Sequence, residues 1–173
     1  MKTVKSVTIP LLAGVILFSC MTGCTSVTVQ ATKNPQAVHK VGRLFVLINH
    51  GDLGNQPYST DLANNLRTVL SNPPPALEIS IVSPLELDER VHDERIKQFN
   101  PDAVLVVRLT TAVLSEYGGY PILKYDASLY DPDMKRRLWR GVVDNSGGTA
   151  LMKRRMREMA EVIVGQLRKD GFL

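Results

Sequence analysis

The sequence predicts an α/β domain: a mixed five-strand sheet in the order β-α-β-α-β-β-β-α, strands ordered 2-1-3-4-5, with the helices packed on the sheet. Three observations carry this. Leu44–Ile48 and Val104–Val107 are continuous apolar runs of strand length, as expected of strands buried on both faces. Helical apolar spacing separates them, which implies parallel pairing through right-handed crossovers. After Val113 the pattern changes to two alternating segments, as in antiparallel strands with one wet face.

The amino terminus comes first. Lys2 and Lys5 precede a short apolar run, Val7–Phe18, and then Met21-Thr22-Gly23-Cys24. A charged start, apolar middle and small-residue end form a secretory signal. The run is shorter than the ~18–20 residues that span a bilayer. Its end resembles the lipobox of bacterial lipoproteins, which implies a leader over 1–23 and lipidation of Cys24. Cys20, after Leu17-Phe18-Ser19, is the alternative, with bulky Phe18 where a small residue is expected. The resemblance further implies an outer-membrane position facing the periplasm, since Thr25 stands where a retained lipoprotein carries Asp. Residues 24–41 have no sustained period and read as lipidated Cys plus flexible tether, although Val27 and Val29 suit a short edge strand. The domain is expected over 42–173.

Without the leader, roughly 150 residues remain, a single-domain length. Losing Lys2 and Lys5 lowers the formal charge from +4 to +2, and no nucleic-acid partner is expected in the envelope. Both cysteines lie in the leader region, so the domain has no thiol-based metal or redox site and depends on its apolar core.

The elements follow in order. Leu44–Ile48 ends at the turn formers Asn49-His50-Gly51-Asp52. A helix is expected over Thr60–Ser71, capped by Thr60 or Asp61, with Leu62, Leu66, Val69 and Leu70 on one face. Asn72 and Pro73–Pro75 stop it. Leu77–Val82 alternates as a strand. A second helix over Asp88–Phe99 has a weaker stripe of Val91, Arg95/Ile96 and Phe99. Asn100-Pro101-Asp102 introduces the strand Ala103–Val113. A connection containing Gly118-Gly119 leads to Ile122–Tyr130, with Leu123, Tyr125, Ala127 and Leu129 opposite Lys124, Asp126, Ser128 and Tyr130. Asp131-Pro132-Asp133 turns the chain into Arg137–Asp144. The clearest element is last: Met152, Met156, Met159, Ala160, Ile163 and Leu167 form the apolar stripe of a helix that Gly171 ends.

Three constellations are candidates for function. The loop His50-Gly51-Asp52-Leu53-Gly54-Asn55 follows a buried strand, where parallel sheets gather ligands. It lacks the GxGxxG and Lys-Ser/Thr spacings, so Gly51 and Gly54 read mainly as turn residues. The basic clusters Lys135-Arg136-Arg137 with Arg140, and Lys153-Arg154-Arg155 with Arg157, would form one interaction surface if the last helix packs beside the last strand. His39, His50 and His92 are scattered without metal-ligand spacing and are expected at the surface. No GxSxG elbow is present. The acidic residues Glu86–Glu94 alternate with arginine as a solvated helix face does, and the lone Trp139 is expected in the core.

Pro101-Asp102-Ala103-Val104-Leu105-Val106, Tyr125-Asp126-Ala127-Ser128-Leu129-Tyr130-Asp131 and Leu138-Trp139-Arg140-Gly141 together resemble the amino-terminal domain of the TolB translocation protein, over residues 43–169. Small envelope lipoproteins share that architecture, among them peptidoglycan-synthase activators and the curli secretion lipoprotein core. The resemblance implies no family-wide active site. The expected function is a non-enzymatic binding or assembly module of the envelope, with no cofactor or metal. It would be held to the membrane by its lipid and would face an envelope protein or peptidoglycan-associated partner. The alternative is a small-ligand-binding or hydrolytic domain built on His50–Asn55. Convergence of those residues on a concave pocket would favour the alternative.

Overall fold

The computed structural model of the chain describes residues 27–37, 40–51, 57–72, 74–83, 85–86, 88, 90–116, 122–147 and 151–173. Cys20, Cys24, His39, Asp52 and Gly54 lie outside them. Six strands and three helices follow in order: β1 Thr28–Lys33, β2 Arg43–Asn49, α1 Pro57–Leu70, β3 Ala76–Val82, α2 Arg90–Phe99, β4 Ala103–Val113, β5 Ile122–Tyr130, β6 Arg137–Ser146 and α3 Met152–Lys169.

All six strands form one sheet, ordered β1-β6-β5-β4-β2-β3. β2 pairs in parallel with β3 and β4, while β4–β5, β5–β6 and β6–β1 are antiparallel. This corrects the expectation of five strands: the order is extended by an edge strand taken from the segment expected to be a tether. The physical reason lies in the spacing of its few apolar residues. Val29 and Ala31 alternate toward the core, and Thr28, Gln30 and Thr32 face away, so Val29 meets Val143 and Ala31 meets Gly141 across the ladder. Val27, Ala37 and Val41 are buried as well. The domain therefore begins by Val27, not at residue 42.

The main core lies on one face of the sheet. There α1 and α3 pack against each other and against the inward residues of the strands: Leu44, Val46 and Ile48 of β2, Leu105 and Val107 of β4, Leu123, Tyr125 and Ala127 of β5. The expected stripe of α3 is buried throughout, joined by Val164 and Arg155. Trp139 is 1% exposed. Arg168 of α3 donates to the carbonyls of Val69 and Asn72 at the end of α1, satisfying acceptors that a helix terminus leaves open. Gly171, at φ +81, turns α3 back so that Phe172 N–H reaches the Leu167 carbonyl, a Schellman ending. Among the described residues no helix is long and apolar enough to cross a membrane.

Two helix starts differ from expectation. α1 begins at Pro57, before Thr60 and Asp61, because proline is pre-set for the first helical position. α2 begins at Arg90, and its buried residues are His92 and Ile96, with Val91 exposed. The smaller second core holds Ile96 against Phe45, Val104 and Val106 on the other sheet face. α2 thus covers only the β2–β4 side of that face. The matching faces of β5, β6 and β1 carry no helix among the described residues.

Candidate functional site

At the carboxyl end of β2, His50 turns inward and is 1% exposed. Its Nδ1 lies 2.9 Å from Ser59 Oγ on α1, and its Nε2 lies 3.1 Å from the Tyr125 hydroxyl on β5. The two rings meet edge to face, 5.3 Å apart. Burial lowers the imidazole pKa from 6.5 to about 4 and raises that of the Tyr125 phenol. Nearby, Arg155 of α3 is fully buried. It donates to Asn145 Oδ1 at 2.6 Å and to the Gly147 carbonyl at 2.8 Å, and its burial lowers its pKa. These groups tie α1, α3, β5 and β6 together beneath the strand ends. Both ring nitrogens of His50 have partners, so the imidazole is not presented to a ligand. Gly51 sits at φ +54, where glycine avoids the steric cost of a Cβ; its role is turn geometry.

A second buried histidine lies under α2. His92 Nδ1 is 3.0 Å from Ser80 Oγ, and Nε2 is 2.6 Å from Glu86 Oε2. Arg95 donates to Ser80 Oγ at 2.7 Å and through two nitrogens to Glu78. Serine, histidine and carboxylate are in hydrogen-bond sequence, but Ser80 is 2% exposed and its oxygen already accepts from Arg95. The arrangement fastens α2 to β3. The expectation of surface histidines is thus corrected for His50 and His92. The reason is that each finds two polar partners inside the fold, which offsets the cost of burying an imidazole. Among the described residues no group of three or more His, Cys, Asp or Glu is placed to hold a metal.

The two basic clusters do not form one surface. α3 returns antiparallel to β6: its carboxyl end meets Trp139 through Asp170 Oδ2 at 2.7 Å, while Arg155 near its start meets Asn145. Lys135–Arg140 and Lys153–Arg157 therefore lie at opposite ends of β6, about 25 Å apart at strand rise. Arg140 also faces the side of the sheet away from α3. Most of these residues are paired within the chain: Lys135 with Asp133, Arg136 with Asp131, Arg140 with Asp126, Arg154 with Glu158 and Arg157 with Glu161.

The open sheet face holds a different constellation. A cleft of about 380 Å³ beside α2 is lined by Leu47, Val106, Arg108, Asp126, Tyr130 and Arg137, among others. Asp126 stands directly opposite Arg108 in the β4–β5 register, yet its oxygens accept from Arg140 and Ser128. Arg137 stands opposite Tyr130, and the next carboxylate, Asp131, accepts from the backbone N–H of Arg136 and pairs with its guanidinium. Among the described residues neither the Arg108 nor the Arg137 side chain has a hydrogen-bond or ion-pair partner. A larger cleft of about 640 Å³ at the amino ends of the parallel strands holds Arg43, Asp102, Asp131 and Arg136, but there Asp102 accepts from the Gly42 and Arg43 N–H groups and Asp131 serves Arg136. Arg108 was missed by motif reading. The available signal was a lone charge in the run Ala103–Leu109, on the same alternation as Val104 and Val106.

No protein-family model matches the sequence, and no curated protein matches it. Among solved structures, PelC from Paraburkholderia phytofirmans, a dodecamer, superposes with a TM-score of 0.52 at 14% identity, covering 79% of this chain and 94% of that one. A point variant of the same protein gives 0.52 at 15%, covering 79% and 95%. Lipoprotein GNA1162 from Neisseria meningitidis covers 73% of this chain and 99% of its own at 16% identity, but its TM-score of 0.37 is too low to argue from. At these identities the likeness to PelC establishes a shared fold.

Proposed function

We propose that the protein is a non-enzymatic binding or assembly module of the bacterial cell envelope, anchored by a lipid on Cys24 at the outer membrane. The observation that supports it most is a contrast between buried and open groups. Among the described residues the groups suited to acid–base work are buried and engaged in pairs, His50 with Tyr125 and His92 with Ser80. The half-face formed by β5, β6 and β1 stays open, carrying Gln30, Lys124, Asp126, Arg140 and the exposed Val142. Chemistry needs a presented reactive group; contact needs only a stable exposed surface. That PelC assembles into a dodecamer adds support for a contact role on this fold, including contact between copies of the chain. The TolB-like resemblance of Pro101–Val106 and Tyr125–Asp131 is compatible with the same reading.

Site-specific photo-cross-linking in cells tests it. A cross-linker at Gln30 or Val142 should capture a discrete envelope partner or a second copy, whereas one at Asn64 or Glu161, on the helical side, should not. Capture from the helical positions alone would overturn the assignment of the working face. The anchor is tested separately. Cys24→Ala should abolish metabolic labelling with palmitate and release the protein from the membrane fraction; labelling that survives in Cys24→Ala and is lost in Cys20→Ala would move the anchor.

A further inference from the structure

We propose that the cleft between Arg108 and Arg137 binds a small soluble organic anion carrying at least two carboxylate or phosphate groups. This rests on the open face being the working surface and names what part of that face recognises. The sheet supplies a carboxylate directly across from Arg108, and Arg140 and Ser128 occupy it from the other side. It supplies another beside Arg137, which Arg136 occupies. Among the described residues both guanidinium groups on this cleft are thereby left without a hydrogen-bond or ion-pair partner, and Asp126 beside them is already engaged. Each is a planar fork of donors suited to bidentate carboxylate or phosphate, and two separated forks favour two anionic groups over one.

The rest of the lining sets the class further. Tyr130 brings a hydroxyl to the cleft, while Thr110 and Ser128 spend theirs on the Lys124 carbonyl and Asp126, and Leu47, Val106 and Met134 give it an apolar floor. An apolar floor with a phenol beside it suits an organic body that carries its charges on a carbon frame. The volume of about 380 Å³ lies in the small-molecule range. The recess beside α2 argues against a flat bilayer surface as the occupant, since the arginines line a concavity and do not crown a convex edge.

Calorimetric titration of the full chain in non-ionic detergent, with citrate as the probe, decides the matter. Citrate should bind with one-to-one stoichiometry and acetate should not bind detectably. Arg108→Gln and Arg137→Gln should each weaken citrate about tenfold, the loss expected for one charge-assisted pair, and the double variant should abolish binding. Arg67→Gln, on α1 across the sheet, should leave it unchanged. Equal weakening by Arg67→Gln would reduce the effect to general electrostatics and overturn the site, as would citrate binding that survives in the double variant, or no citrate binding at concentrations of about 10 mM. Binding only to mixed micelles carrying phosphatidylglycerol would overturn the soluble-ligand assignment in favour of a headgroup. Any of these failures leaves the cross-linking result on the open face standing, so the two readings fail separately.

Discussion

His50 is neutral in the folded domain because its ring is enclosed by Ser59, Tyr125 and the β2 strand end. Its native pKa of about 4 lies below the ordinary 6.5, so between those values the unfolded chain binds the extra proton. Stability from this residue is complete above pH 6.5 and is lost as pH falls toward 4, by roughly 3 kcal/mol for such a shift. Urea denaturation across that window should show the slope, and His50→Gln should flatten it; a slope unchanged in the variant would remove His50 as its source. Arg155 is the second residue on which the strand-end network depends. Arg155→Ala leaves Asn145 Oδ1 and the Gly147 carbonyl without their donor and should cost about 2–4 kcal/mol in the same assay. Neither residue announced this role in the sequence. Arg155 stands among four basic residues at 153–157, and only the helical phase set by packing against β6 separates the buried one from its exposed neighbours. Arg108, by contrast, was legible as a charge interrupting an apolar strand.

At the scale of elements, β1 and β6 depend on a single glycine. The Trp139 ring lies over Gly141, and its indole N–H is fixed by Asp170. A Cβ at position 141 would lie 2.5 Å from Trp139 Cη2 and 3.0 Å from Val29 Cγ2. Gly141→Ala should therefore force the ring or β1 outward, at about 1–3 kcal/mol. Because Trp139 is the one tryptophan in the chain, a red-shifted emission would report the displacement, and an unaltered spectrum with unaltered stability would show that the contact relaxes freely. The apolar runs of β2 and β4 and the periodic stripe of α3 were readable because each repeats one signal several times. β1 was harder to read: two inward residues, Val29 and Ala31, are too few to distinguish a strand from a polar linker until β6 offers an edge. α2 was misphased for a related reason. Its burial includes His92, a polar side chain that no hydrophobic period counts.

For the whole molecule, the sheet should not open uniformly. β2, β4 and β5 are interior strands of the sheet, whereas β1 and β3 are its edges. Hydrogen exchange followed by mass spectrometry should find peptides containing Val46, Leu105 and Ala127 the slowest. Those of β1 should be intermediate, protected by β6 and by the core contacts of Val29. Exchange of Thr28–Lys33 at the rate of an unstructured peptide would show that β1 is not part of the cooperative unit.

By itself the sequence determined the α/β class, the burial of Trp139 and the ending of α3 at Gly171, while the handedness of crossovers placed β2 to β6 relative to one another. The class and the helix ending follow from local periodicity and turn chemistry, which act within one or two turns of chain. Only the tertiary structure decided that residues 28–33 join the sheet, that His50 and His92 are interior, and that the basic clusters stand at opposite ends. It also decided which arginine takes each carboxylate. Those outcomes depend on partners distant in the chain: Arg140 reaches Asp126 from the neighbouring strand, and Arg108 and Arg137 are left to face the open cleft.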